Sequence, residues 1–217
     1  MLLLLDLDNT VADRDAAFAH WMQVSLSEWA PGDEAARGFL EEHDDDGRRP
    51  RVEFLAGVRE RFARPESVEE LLVEYRRLTL AGFPPMNEQA RGQLQSMRES
   101  GWKIAVVSNG DSGVQEATAE RVGLSPLLDA CVVSGTVGIR KPDPRIFELA
   151  AERCGEPAKG AWMIGDSEAD IIGAEHAGMH SVWLARSREW TRDDLFPDII
   201  AAGLTEAIHV VADDRMA

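Results

Sequence analysis

Five short apolar runs, spaced along the chain with helical patterns between them, constrain this sequence more than any other feature. They are Leu2–Leu5, Lys103–Val107, Ala130–Val133, Ala161–Ile164 and Ser181–Leu184. Runs of four or five residues are strand length, and near-continuous apolar character means burial on both faces. Amphipathic helices are predicted between and after them, near 87–100, 112–122, 144–154, 168–177 and 204–211. Strands alternating with helices build βαβ units, which give an α/β fold with a parallel sheet and helices on both sides.

One connection breaks this rhythm. From about residue 14 to 82 the pattern is helical throughout. Phe18, Trp21, Met22, Ser25, Leu26 and Trp29 fall on one helical face. Further helices are predicted near 33–43, around Val52–Phe62 and around Val68–Leu78, the last started by Ser67. Pro31-Gly32, Gly47 to Pro50 and Pro65 punctuate them, and Pro84-Pro85 marks the return. The expected organisation is therefore a core of residues 1–13 plus 84–217, interrupted by a helical bundle at 14–83. Trp21 and Trp29 are expected in the core of that bundle, with Trp21 or Phe18 as the alternative contacts for a substrate.

In an open parallel sheet, ligands bind beyond the carboxyl ends of the strands. The residues there are polar. Asp6-Leu7-Asp8-Asn9-Thr10 follows the first run, and Ser108-Asn109-Gly110 the second. Arg140-Lys141-Pro142-Asp143-Pro144 precedes a helix, and Gly165-Asp166-Ser167-Glu168-Ala169-Asp170 follows the fourth run. Asp6 and Asp8 can divide labour, one attacking as a nucleophile while the other handles a proton. The local alternative is a polar turn that caps the next helix. Asp6, Asp166 and Asp170 offer hard oxygen ligands of the kind Mg²⁺ takes, although an acid at Asp170 also suits a helix N-terminus. Asp143 reads as an N-cap with Pro144 at the first helical position. Lys141 then stands on a stiff turn, able to reach a phosphate or hold a carboxylate charged. Ser108 can donate to a phosphate oxygen, and Asn109 and Gly110 can offer backbone N–H groups to it. Ser112 and Gln115 fit a capping box for the helix that follows.

Four such motifs, in this order and each at a strand end, resemble the haloacid dehalogenase-like (HAD) hydrolase superfamily. The resemblance covers both ends of the chain and implies a Rossmann-like core with an inserted α-helical cap. It implies that Asp6 takes a phosphoryl group as an aspartyl-phosphate and that Asp8 is the general acid/base. It implies Mg²⁺ held by Asp6, Asp8 (through its backbone carbonyl) and Asp166, with Asp170 either a ligand through water or a support behind the ligands. Thr10, Ser108, Asn109 and Lys141 would hold the phosphoryl oxygens. The dehalogenase branch lacks an acid at the place of Asp8, and the phosphonatase branch adds a cap lysine. Residues 14–82 contain no lysine. The resemblance therefore implies a phosphatase of small phosphomonoesters, of the nucleotide, phosphoglycolate or sugar phosphate class. The alternatives are a phosphomutase of the same fold and a catalytically silent binding or regulatory member.

Composition narrows the partners. The chain carries 39 acidic and 23 basic side chains, a formal charge of -16. Nucleic-acid binding needs a basic surface to displace counterions, and an anionic membrane would repel this chain. Asp6 and Asp8 interrupt the first apolar run too early for a signal core, and no run approaches bilayer length. Cys131 and Cys154 have no metal spacing and are read as reduced thiols. A cytoplasmic monomer or homodimer is expected. The acidic stretch Glu41–Asp46 is read as a solvated loop rather than a metal cluster. His176 and His180, four apart, are not expected to share a face, because Gly178 ends the helix between them.

Overall fold

The computed structural model describes residues 1–213 and divides into two compact units: Met1–Asp13 with the chain from Pro85 onward, and Arg14–Pro84. The first unit is built on six strands: β1 (Leu2–Leu5), β2 (Lys103–Ser108), β3 (Ala130–Val133), β4 (Trp162–Gly165), β5 (His180–Leu184) and β6 (Ile199–Ala201). All pair in parallel, in the order β3-β2-β1-β4-β5-β6. Among the described residues this unit has six helices: α5 (Glu88–Glu99), α6 (Ser112–Arg121), α7 (Ser134–Val137), α8 (Pro144–Cys154), α9 (Glu168–His176) and α10 (Leu204–Asp213). A 3-10 turn at Ser125–Leu127 follows α6.

The alternation of strand side chains explains the two-sided burial. Leu2, Leu4, Ala105, Val107 and Met163 share a core with Ile146, Phe147, Ala150 and Ala174 from α8 and α9. Their neighbours along the strands, Leu3, Leu5, Ile104, Val106 and Ile164, are equally buried. Each such leucine withdrawn from water contributes about 1.5–3 kcal/mol before entropy is counted. The five predicted strands are present, with ends shifted by at most one residue. The edge strand β6 and the single-turn helix α7 are additions. Three residues in β6 and four in α7 are too few for a hydrophobic period to be read.

Capping fixes the helix that matters most for the site. Asp143 caps α8, accepting from the Arg145 backbone at 3.1 Å, with Pro144 at its first position and Gly155 in the left-handed region at its end. The Ser112–Gln115 capping box does not form. Asp111 caps α6 instead, accepting from Val114 N, because it stands one residue earlier with an extended backbone.

The second unit is a bundle of α1 (Arg14–Trp29), α2 (Glu34–Asp44), α3 (Arg51–Arg61) and α4 (Val68–Gly82). Phe18, Trp21, Met22, Leu26, Leu40, Phe54, Leu55, Val58, Leu71, Tyr75 and Leu78 make its core. Trp21 is 1% exposed, stacks on Phe18 and meets Phe54 and Tyr75 edge-to-face, so its ring is committed to packing. The acidic stretch departs from expectation. Helix α2 runs on to Asp44, which is 2% exposed and bound by Arg14 and Arg51. Among the described residues no helix is long and apolar enough to cross a membrane. Cys131 and Cys154 are free thiols.

Candidate active site

Strand order reverses direction at β1, whose neighbours β2 and β4 lead the chain to opposite edges of the sheet. That is a topological switch point, where such sheets open a crevice at their carboxyl ends. The register aligns the ends: Leu5 pairs with Val106 on one side and Ile164 on the other. Asp6 continues the ladder, donating its N–H to the Ile164 carbonyl at 2.9 Å. Its carboxylate thus leaves the sheet beside the Gly165-Asp166 turn.

The loop after Asp6 is tight. The N–H groups of Thr10, Val11 and Ala12 all point to the Leu7 carbonyl, and Asn9 N donates to Ala12 O at 2.7 Å. Asn9 takes φ +58°, a left-handed conformation that asparagine tolerates better than most residues. This turn sends Asp6 and Asp8 into different surroundings. Asp6 is 6% exposed and pairs with Lys141 Nζ at 2.5 Å. Asp8 is half-buried, and its Oδ2 accepts from Gln115 Nε2 at 2.8 Å.

Lys141 is the hub. It is 5% exposed, and its ammonium reaches Asp6 Oδ1, the Val107 carbonyl at 2.9 Å and Asp170 Oδ1 at 2.6 Å. Asn109 sets the backbone beneath it: Lys141 N donates to Asn109 Oδ1 at 2.9 Å, and Asn109 Nδ2 donates to Lys141 O at 3.1 Å. The Asn109 side chain is thus spent on the lysine, leaving only its backbone for an anion. Ser108 ends β2 and is 1% exposed, while Thr10 Oγ1 is buried without a hydrogen-bond partner.

Asp170 closes a helix start and also faces the site. Its Oδ2 accepts from Ser167 N at 3.1 Å and Ser167 Oγ at 2.7 Å, closing the first turn of α9. Its Oδ1 faces Lys141, off the line of a hydrogen bond. The chain can pass this closely only because residue 165 is glycine. A Cβ there would lie 2.4 Å from Asp170 Cγ.

Oxygens of Asp6, Asp166 and Asp170 lie within 4.8 Å of one another. Three carboxylates so close, with one lysine among them, leave a surplus of negative charge. Burial first, then Asp170 and Asp166, push the Asp6 carboxyl up to about 8 against the pull of Lys141. Burial and then Asp170 raise Asp166 to about 6. The neighbouring carboxylates outweigh burial at Lys141 and hold its ammonium charged. Arg188 answers part of the surplus, donating to Asp166 O at 2.7 Å and to its Oδ2 at 2.9 Å. Trp183 Nε1 donates to the same carbonyl at 2.9 Å. Neither residue was expected at the site. Arg188 lies in an irregular stretch after β5, where Arg186 and Ser187 take positive φ and no period marks a function.

The comparisons agree with this architecture. A family model described as haloacid dehalogenase-like hydrolase matches residues 1–178. The chain belongs to that family. It is accordingly a hydrolase. The phosphoserine phosphatase of Thermus thermophilus is 32% identical over 203 residues, covering 89% of this chain and 78% of that one. The pyrimidine 5'-nucleotidase YjjG of Escherichia coli is 41% identical over 90 residues, 40% of each chain. Among solved structures, YfnB of Bacillus subtilis, assigned as a HAD-hydrolase and solved with bound magnesium, matches with TM-score 0.81. Its identity is 22% over 97% of each chain, a likeness of fold.

Proposed function

We propose that this hydrolase is a Mg²⁺-dependent phosphatase that cleaves a small-molecule phosphomonoester through an aspartyl-phosphate on Asp6. The observation that carries the reading is the separation of two carboxylates at the end of β1. Asp6 is buried against an ammonium, whereas Asp8 stands apart from the carboxylate cluster with its own partner. Such a division suits a nucleophile and a proton carrier.

The donor set fits a hard divalent cation. It supplies three carboxylates within 4.8 Å, and burial with mutual repulsion drives two of them above their ordinary range. Asp6, Asp166 and Asp170 would hold Mg²⁺, with the Asp8 backbone carbonyl. When bound, the ion neutralises charge on the transferring phosphoryl group. Asp6 attacks phosphorus, forming the O–P bond as the bond to the leaving oxygen breaks. Asp8 gives that oxygen its proton. It then takes a proton from water, whose oxygen attacks phosphorus and releases Asp6 and inorganic phosphate. Thr10 and Ser108 offer hydroxyls, Asn109 its backbone N–H and Lys141 its charge to the phosphoryl oxygens. The unspent Thr10 hydroxyl supports that role.

The bundle at 14–83 is read as a cap domain, because the chain enters it directly after the first catalytic loop and returns from it before β2. Its absence of lysine favours a phosphoester over a phosphonate substrate. The substrate class is a nucleotide, phosphoglycolate or sugar phosphate, and the free cysteines and acidic surface suit a cytoplasmic monomer or homodimer. The test is phosphate release from a panel of phosphorylated metabolites with and without Mg²⁺. Release that depends on the ion supports the reading. Isomerised hexose phosphate without net release would make the enzyme a mutase, and no turnover with any ester would make it a binding protein.

A further inference from the structure

Gln115 has no place in the motifs, yet among the described residues it makes the one side-chain hydrogen bond to Asp8. It is 4% exposed on α6, and its Nε2 reaches Asp8 Oδ2 across 107 residues of sequence at 2.8 Å. A carboxylate only accepts, so the amide must turn its NH₂ toward Asp8. Its Oε1 is then left buried with no partner. An unpaired buried acceptor costs stability. A leucine at this helical position would fill the space without that cost, so packing alone does not explain a glutamine here.

The surroundings are shaped for this reach. A Cβ on Gly110 would lie 2.6 Å from Gln115 Nε2 and 3.0 Å from its Cγ, so the amide passes through space that only glycine leaves open. Gly110 is itself held. Its N–H donates to Ser134 Oγ at 3.0 Å, and its carbonyl accepts from Gly135 N at 2.9 Å. The short helix α7 is thereby tied to the loop that ends β2. Among the described residues nothing takes the other carboxylate oxygen of Asp8, Oδ1, which stays available for proton transfer.

We propose that Gln115 is a positioning residue for Asp8, holding Oδ2 so that Oδ1 faces the leaving oxygen, with Gly110 keeping its path clear. The inference rests on the phosphatase reading above. A misdirected acid matters only when the leaving oxygen needs a proton. Phenolate from phenyl phosphate leaves poorly without one, whereas 2,4-dinitrophenolate leaves readily. A structural role would reduce both alike.

The experiment compares kcat/KM for these two esters in the wild-type enzyme with Mg²⁺ and in Gln115→Leu and Gly110→Ala. A positioned acid contributes about 10²–10⁴-fold, so loss of its orientation is expected to cost phenyl phosphate roughly tenfold or more. The dinitrophenyl ester is expected to lose less than about threefold on the same grounds. Gly110→Ala is expected to show the same selectivity, because it displaces the amide without removing it, and it carries the test should Gln115→Leu fold poorly. Equal losses on both esters, or none, would overturn the positioning role. An Asp6→Asn control separates the two claims: if it still releases phenol, the phosphatase reading itself fails.

Discussion

Two regions of this molecule bury acids beside cations, and they do so with opposite balances. In the helical unit, Asp44 stands alone between two guanidiniums. Arg14 Nη2 reaches both its oxygens at 2.7 and 2.6 Å, Arg51 Nη1 reaches Oδ1 at 2.5 Å, and the Gly47 N–H reaches Oδ2 at 2.9 Å. Arg51 also meets the Tyr75 hydroxyl at 3.2 Å and lies over the Phe54 ring. Every acceptor is used and the cations outnumber the acid. At the ends of β1 and β4, three acids cluster round one buried lysine that meets two of them, and Arg188, with Arg186 farther off at 3.9 Å, faces the third from positions more open to water. The first arrangement is complete within the protein. The second is short of positive charge, and that shortage is what a divalent cation and a phosphoryl group can use. Buried charge that is fully answered is scaffold; buried charge left in surplus marks the chemistry.

The comparison breaks most visibly at the acids themselves. Asp6→Asn keeps the shape of the side chain and removes the nucleophile, so phosphate release is expected to fall by more than ~10³-fold while the far-ultraviolet spectrum stays unchanged. Retained turnover would move the nucleophile elsewhere. Asp44→Ala is expected to do the reverse. It leaves two guanidiniums facing an empty carboxylate site, which costs about 3 kcal/mol of stability, toward the low end for a broken buried pair because both arginines keep some access to water. Denaturant titration measures it. An Asp44→Ala protein as stable as the wild type would mean that the hub contributes nothing and that the contrast between the regions is only apparent.

How much of this was legible in the sequence follows the range of the interactions. The strands, the helix caps at Asp143 and Pro144, and the placing of Asp6 and Asp166 just after β1 and β4 are local patterns, and local patterns can be read; Lys141 instead lies beyond the short helix α7, on the turn before α8. The helix start at Asp170 could be read too, and its carboxylate also meets Lys141. What was missed joins residues far apart. Gln115 looks like a capping partner within its own helix, and only the fold brings it to Asp8. Asp44 sits in an acidic run that resembles a solvated loop, until Arg14 and Arg51 are folded around it. Arg188 follows the last long strand on a stretch with no period, and its partner Asp166 precedes it by a helix and a strand. In each case the missing signal is a polar contact that only folding makes. Hydrophobic periodicity carries no trace of such a pairing.

The finest test of the contrast is the sign of a neutral substitution in the absence of Mg²⁺. Asp6 in the folded chain holds its proton up to about 8, against an ordinary carboxyl value near 3.8. Between those values the folded state binds a proton that the unfolded chain has released. The contribution of this group to stability is therefore present in full at low pH and is lost as pH climbs toward 8. Asp6→Asn cannot ionise and escapes that loss. In chelator it is expected to melt near the wild-type temperature at pH 4 and progressively above it as pH rises to 8, by about 2–4 °C for each ~1 kcal/mol of the lost contribution that the site does not relieve by relaxing. Neutralising Asp44 lowers stability, whereas neutralising Asp6 raises it, and only the second effect should grow with pH. Added Mg²⁺ is expected to reverse the order at pH 8 by binding the ionised wild-type site more tightly than the variant. A variant that melts below the wild type at pH 8 in chelator would show that Lys141 already satisfies Asp6, and the surplus of charge would have to be sought at Asp166 and Asp170 alone.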